Sequence, residues 1–210
     1  LAEVEEALAV ITFGLLNAYN AHVDPSRIAF QKAFLSKEGK QLLKEKVTLL
    51  HCTTEYPVLP NEINLNAILT MRNAFGLSIG YSDHSEGITI PIAATAFGAT
   101  LIEKHFTLDK SLPGPDHKAS LEPDELKTMV DAIRTVEVAM GNGKKQPMPS
   151  ELKNIEVVRK SLVATSTINV GDRFTVNNVG IKRPGLGTDP RSYWDIIDTI
   201  SSKKYEIDDF

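Results

Sequence analysis

Between residues 47 and 140 the sequence alternates short apolar runs with longer stretches of helical period, and this alternation restricts the fold more than any other feature. Residues 47–52 (VTLLHC), 77–82 (LSIGYS) and 100–105 (TLIEKH) read as strands, the first of the fully buried kind. Residues 64–75, 88–97 and 123–140 read as helices. Gly98 stops the second of these. In the third, Pro123 suits a first turn, Asp124 and Glu125 favour the N-terminal dipole, and Gly141 closes the end. Its apolar stripe is Leu126, Met129, Val130, Ile133, Val136 and Met140. Strands and helices at this spacing imply a parallel sheet or barrel. The expected class is therefore α/β, the second half of a (β/α)8 TIM barrel.

The flanks read differently. Residues 1–13 have the pattern of an amphipathic helix, with Val4, Leu8 and Ile11 on one stripe and Glu3, Glu5 and Glu6 off it. Asn17, Asn20, Asp24 and Pro25 then break the pattern, and a polar helix over 26–46 follows. We read 14–46 as an insertion on the outside of a barrel domain spanning 1–140. Residues 141–154 have linker composition. Residues 155–210 read as a small, loop-rich β domain, with extended pieces at 161–165, 168 and 174–176 and a glycine-dense loop at 179–187. The helical pattern is already under way at Leu1, and half a barrel leaves open strand edges, so further strands are expected upstream.

Composition narrows the class. The chain has 210 residues, 42% of them hydrophobic and 24% charged, ordinary values for a globular protein. A net charge of −4 with scattered Lys and Arg gives no footprint for nucleic acid. Apolar runs are too interrupted to span a membrane. The single cysteine, Cys52, precludes an internal disulfide and fits a reducing, cytoplasmic setting.

Chemistry in a parallel α/β barrel gathers at the C-terminal ends of the strands. Those ends here carry Thr53, Thr54, Glu55 and Tyr56, then Tyr81, Ser82, Asp83 and His84, then His105, Phe106 and Thr107. Two imidazoles with neighbouring hydroxyls suit a divalent cation such as Mn, Fe, Co or Zn better than Ca. Spacing alone leaves this metal rim and a purely structural histidine pair equally open. Asp83 either orients an imidazole or ends a turn. Glu103 shares a strand face with His105, and an inward carboxylate requires a cationic partner. Lys104 is expected to face outward into solvent, His51 to make a structural hydrogen bond, and Cys52 to be a small buried hydrophobe. Asp116 follows a Pro-Gly-Pro turn and belongs either to a solvated loop or to one that closes over the barrel mouth. Arg183 is either a turn residue or an anion-binding arm.

The motifs HCTTEYP, GYSDHSEG, IEKHFTLDKSLPGPDHKASLEPDEL and IKRPGLG, in this order, closely resemble the sialic acid synthase family. The likeness covers nearly the whole chain apart from 14–46, and the C-terminal segment is similar to the antifreeze-like (SAF) domain of these synthases. Members condense phosphoenolpyruvate with an N-acetylated aminosugar such as N-acetylmannosamine and release phosphate. The resemblance implies that His84 and His105 hold a divalent metal, manganese above all, with Mg or Co as substitutes. It implies that Ser82 contacts the phosphate of phosphoenolpyruvate, and that Tyr56 and Asp116 contact the aminosugar. Arg183 would be donated to the partner's site in a domain-swapped homodimer. Thr54 stands where some members carry Asn, which leaves its contact open. The lysines that hold the phosphate and carboxylate in the family would lie on earlier strands. Two rivals remain: a legionaminic or pseudaminic acid synthase, and a non-catalytic sugar- or protein-binding module. Ice binding, suggested by the small domain alone, fits poorly with the charged loop around Arg183.

Overall fold

The computed structural model describes residues 1–18 and 23–210, so Asn20, expected among the helix breakers, lies outside the described residues. The chain forms two compact units, Leu1–Gly143 and Lys144–Phe210. In the first, β1 (Thr48–Cys52), β2 (Ser78–Asp83) and β3 (Ile102–Lys104) form a parallel sheet in the order β1-β2-β3. The expected parallel α/β arrangement is thus present. The edge strand β1 is only half-buried, contrary to the expectation of full burial, because among the described residues it pairs on one side alone. The central strand β2 is buried along almost its whole length.

Register explains the site. Cys52, Ser82 and Glu103 are aligned across the sheet, as are His51, Tyr81 and Ile102, and Asp83 lies opposite Lys104. Because side chains alternate along a strand, the first trio shares one face, and the second shares the other with Asp83 and Lys104. Helices cover that second face. The first unit's α-helices are α1 (Ala2–Asn17), α2 (Arg27–Leu35), α3 (Lys37–Lys46), α4 (Pro60–Ile63), α5 (Asn66–Phe75), α6 (Thr89–Ala96) and α7 (Pro123–Met140). Ile68 from α5 and Ala94 from α6 join Ile79 and Tyr81 of β2 in one core, with Val58 and Ile63. Each such large apolar side chain contributes about 1.5–3 kcal/mol on burial.

Gly80 is a packing requirement in the middle of β2. A Cβ there would sit 2.7 Å from the Leu101 carbonyl oxygen and 3.3 Å from Leu50 Cγ. Backbone cannot retreat from that contact without loosening the Tyr81 N–H bond to Leu101, which measures 2.8 Å. Gly80→Ala is therefore expected to destabilise the first unit by about 1–3 kcal/mol, read as a lower urea midpoint with unchanged slope. A midpoint equal to that of the wild type would refute this packing argument.

The helices depart from expectation in informative places. α1 runs four residues past 13, and its buried side is Leu8, Ala9 and Thr12, whereas Ile11 is exposed. Thr12 reaches burial because its hydroxyl donates to the Leu8 carbonyl at 2.6 Å. The expected single helix over 26–46 is two, since Ser36 ends α2 and caps α3, accepting from Gly39 N–H at 2.9 Å. The 14–46 segment is not peripheral to the packing: Leu43 is buried with Leu8 and Leu77, and Phe34 lies against them. α7 starts and ends where the sequence indicates, with Glu122 and Glu125 forming a reciprocal capping box. Only Met129 and Ile133 of its stripe are buried, while Val130 and Met140 stay exposed.

The second unit opens with two short helices, α8 (Pro149–Leu152) and α9 (Ile155–Val158), the first inside the expected linker. β4 (Ser161–Ala164) and β5 (Val179–Lys182) pair antiparallel. Residues 179–182 are thus strand, not loop, whereas 174–176 form no strand. A 3-10 turn (Pro190–Ser192) leads into α10 (Tyr193–Ile196). Leu162, Ala164, Ile168 and Val179 form the core, flanked by Phe174, Tyr193 and Tyr205. No helix among the described residues is long and apolar enough to cross a membrane.

Candidate active site

The rim beyond the C-terminal ends of β1, β2 and β3 brings together residues far apart in sequence. The Tyr56 ring lies 4.0 Å from that of His84 and 5.4 Å from that of His105, and the two imidazoles are 5.5 Å apart. Tyr56 is held there because Val58 N–H donates to the His84 carbonyl at 3.0 Å, drawing the loop after β1 along the end of β2. His84 is buried, and its Nδ1 lies 2.6 Å from the Thr53 carbonyl oxygen. A carbonyl only accepts, so Nδ1 carries a proton, and in the neutral ring Nε2 keeps the lone pair.

Ser82 is buried on the face it shares with Glu103, and its hydroxyl donates to Glu103 Oε1 at 2.5 Å. Glu103 is exposed and has a hydroxyl partner, so it lacks the burial that would have required a cation. Sequence reasoning placed Glu103 on the His105 side of the strand but not beside Ser82. Strand alternation is a local signal, and the partner comes from the β2–β3 register.

Asp116 sits on an exposed loop, with its carbonyl accepting from Ser120 Oγ at 2.7 Å. The same loop is tied back by His117, whose Nδ1 is 2.7 Å from the buried Thr107 hydroxyl. Desolvation first, then electrostatic interaction with Cys52, Asp116 and Glu103, pushes the Tyr56 phenol above its usual range. Tyr56 thus remains a hydrogen-bond donor at neutral pH. Thr54 is exposed at the end of β1. Arg183 belongs to the second unit, where its Nε donates to the Val158 carbonyl at 2.9 Å.

For a metal, the two imidazoles are the available nitrogen donors, and no group of three or more His, Cys, Asp or Glu able to hold an ion occurs among the described residues. The donor set fits an ion held by His84 and His105, with the remaining positions left to water and substrate oxygens. The His84 tautomer fits as well, since Nε2 is the free nitrogen.

The NeuB family model matches residues 1–145. The chain belongs to the NeuB family. It is 50% identical over 175 residues to the N,N'-diacetyllegionaminic acid synthase of Campylobacter jejuni, covering 83% of this chain and 52% of that protein. It is 42% identical over 141 residues to the human N-acetylneuraminate-9-phosphate synthase, covering 67% of this chain and 39% of that protein. A solved structure of an N-acetylneuraminic acid synthetase from Leptospira borgpetersenii aligns with TM-score 0.51 at 39% identity, covering 63% of this chain and 45% of that one. The chain spans about half the length of the curated relatives it matches.

Of the other side chains at the strand ends of this NeuB-family chain, Cys52 and Lys104 are placed otherwise than expected, while Asp83 takes the turn alternative, its carboxylate accepting from Ser85 N–H at 2.9 Å. Cys52 is exposed, with Sγ 3.8 Å from His84 Nδ1, because it lies on the uncovered face of an edge strand. Asp83 does not touch an imidazole, and Lys104 is not solvated: the two form an ion pair of 2.6 Å with almost no exposure. His51 behaves as expected, its Nε2 lying 2.7 Å from the Ile63 carbonyl oxygen.

Proposed function

We propose that the enzyme carrying this chain is a sialic acid synthase, condensing phosphoenolpyruvate with N-acetylmannosamine to give N-acetylneuraminate and phosphate. The observation that carries this reading is the convergence of Tyr56, His84 and His105 at adjacent strand ends in a NeuB-family chain. A second reading, a diacetamido sugar as acceptor leading to legionaminic or pseudaminic acid, is favoured by the 50% identity to the Campylobacter synthase.

In the reaction, C3 of the enol phosphate attacks the open-chain aldehyde carbon, water adds at C2, and phosphate leaves with C–O cleavage. A divalent ion held by His84 and His105, Mn in the first place and Mg or Co as substitutes, would polarise that aldehyde as a Lewis acid. Ser82 would turn its hydroxyl from Glu103 to a phosphate oxygen. Tyr56, kept protonated, would donate to the sugar, and Asp116 would accept from its hydroxyls, with Thr54 beside them. Their shared task is orientation, which lowers the entropic part of the barrier. Arg183, carried by the SAF-like second unit, would close the partner's site in a domain-swapped homodimer in the cytoplasm. Phosphate release with phosphoenolpyruvate, Mn and each aminosugar in turn tests the proposal. We expect release with one acceptor and none without it; no release with any of them would overturn the reading.

A further inference from the structure

A buried carboxylate with four hydrogen-bond donors lies behind the rim, on the helix-covered face of the sheet. Asp83 is wholly buried. Its Oδ1 accepts from the Tyr81 hydroxyl at 3.0 Å, Ser85 N–H at 2.9 Å and the Ser85 hydroxyl at 2.7 Å. Its Oδ2 accepts from Lys104 Nζ at 2.6 Å, and the same ammonium donates to the Ser85 carbonyl at 2.5 Å. Burial, and then the Asp83 charge, push the Tyr81 phenol well above its ordinary range, so that donor is permanent.

Ser85 is the residue after His84, and the network binds its N–H, its carbonyl and its hydroxyl at once. On the other side, the His84 carbonyl accepts from Val58 N–H. The backbone about His84 is therefore clamped, and the ring is set where Nδ1 meets the Thr53 carbonyl. Stability alone does not account for the arrangement. Burying two charges costs several kcal/mol each, and an apolar pair of similar volume often stabilises as well or better. What the ion pair supplies and an apolar pair does not is direction, because three of its bonds, to the Ser85 N–H, hydroxyl and carbonyl, fix atoms of the turn that presents His84.

We propose that Asp83 and Lys104 are positioning residues that hold His84 as its Nδ1–H tautomer with Nε2 presented to the site. The assignment of a task to Nε2 rests on the synthase reading above, whereas the clamp itself does not. The test is long-range proton–nitrogen NMR of the histidine rings in the 210-residue chain, which reports the tautomer without any substrate or metal. The wild type should show His84 as the Nδ1–H form; an Nε2–H form would overturn the proposal. In the double variant Asp83→Asn/Lys104→Met, which leaves no buried charge, the His84 ring signals should move toward a mixture of tautomers while the other amide signals keep their dispersion. A folded double variant with an unchanged His84 tautomer would equally overturn it. Should that variant not fold, Ser85→Ala, which removes one tie and leaves the ion pair, should give a smaller shift in the same direction, and no shift there counts against the clamp. In the active enzyme the double variant should lose roughly 10- to 100-fold in kcat with KM for phosphoenolpyruvate little changed. A tautomer that shifts in a protein without synthase activity would sink the functional reading and leave the clamp standing.

Discussion

Alanine at His84 or at His105 is expected to lower metal-dependent phosphate release by roughly a thousandfold, since polarisation of an aldehyde by a bound ion is worth several kcal/mol of barrier. Both side chains approach the same space from neighbouring strand ends, with ring centroids 5.5 Å apart. Neither replacement should unfold the protein. His84 gives up one bond to a loop carbonyl, and His105 is only half-buried. The far-ultraviolet spectrum should accordingly be unchanged, and added Mn should not restore turnover as it would if affinity alone had fallen. Tyr56→Phe, which keeps the ring beside both imidazoles and removes only a donor, should cost about tenfold, close to the worth of one hydrogen bond. Equal turnover in wild type and His84→Ala would end the metal assignment.

Lys104→Met is expected to cost about 3–5 kcal/mol, more than any single truncation on the rim, because it strands a buried carboxylate. Asp83 would keep its three donors from Tyr81 and Ser85 but lose the only cation beside it among the described residues. Urea titration of the chain gives the measurement. The transition of the first unit should move down by roughly 2 M, whereas that of the second unit, whose core is made of other residues, should stay in place. The double variant Asp83→Asn/Lys104→Met should recover much of the loss, as both charges are then gone. A loss below about 1 kcal/mol for Lys104→Met would mean that water reaches the pair, as at exposed salt bridges.

What was legible in the chain and what was not divide along a physical line. α7 could be bounded from Pro123 to Met140 because its signals are local: a proline in the first turn, two carboxylates beside it and a glycine after the last turn. The three strands of the parallel sheet were legible for the same reason, and so was the gathering of His84, His105 and Tyr56 at their ends, since alternation of strand and helix already places every strand end on one side. Partners were not legible. Lys104 was assigned to solvent because alternation says only that it faces away from Glu103, not what covers that face. Its partner Asp83 is 21 residues earlier and meets it through the β2–β3 register. Ser82 and Glu103 are likewise opposed across that register, and Ile11 lost its place in the core to Thr12 through the packing of α2 and α3 on α1. Period and capping are properties of a few consecutive residues and survive in the sequence itself. Register, burial and charge pairing depend on which segments meet, and that is settled only when the chain is folded.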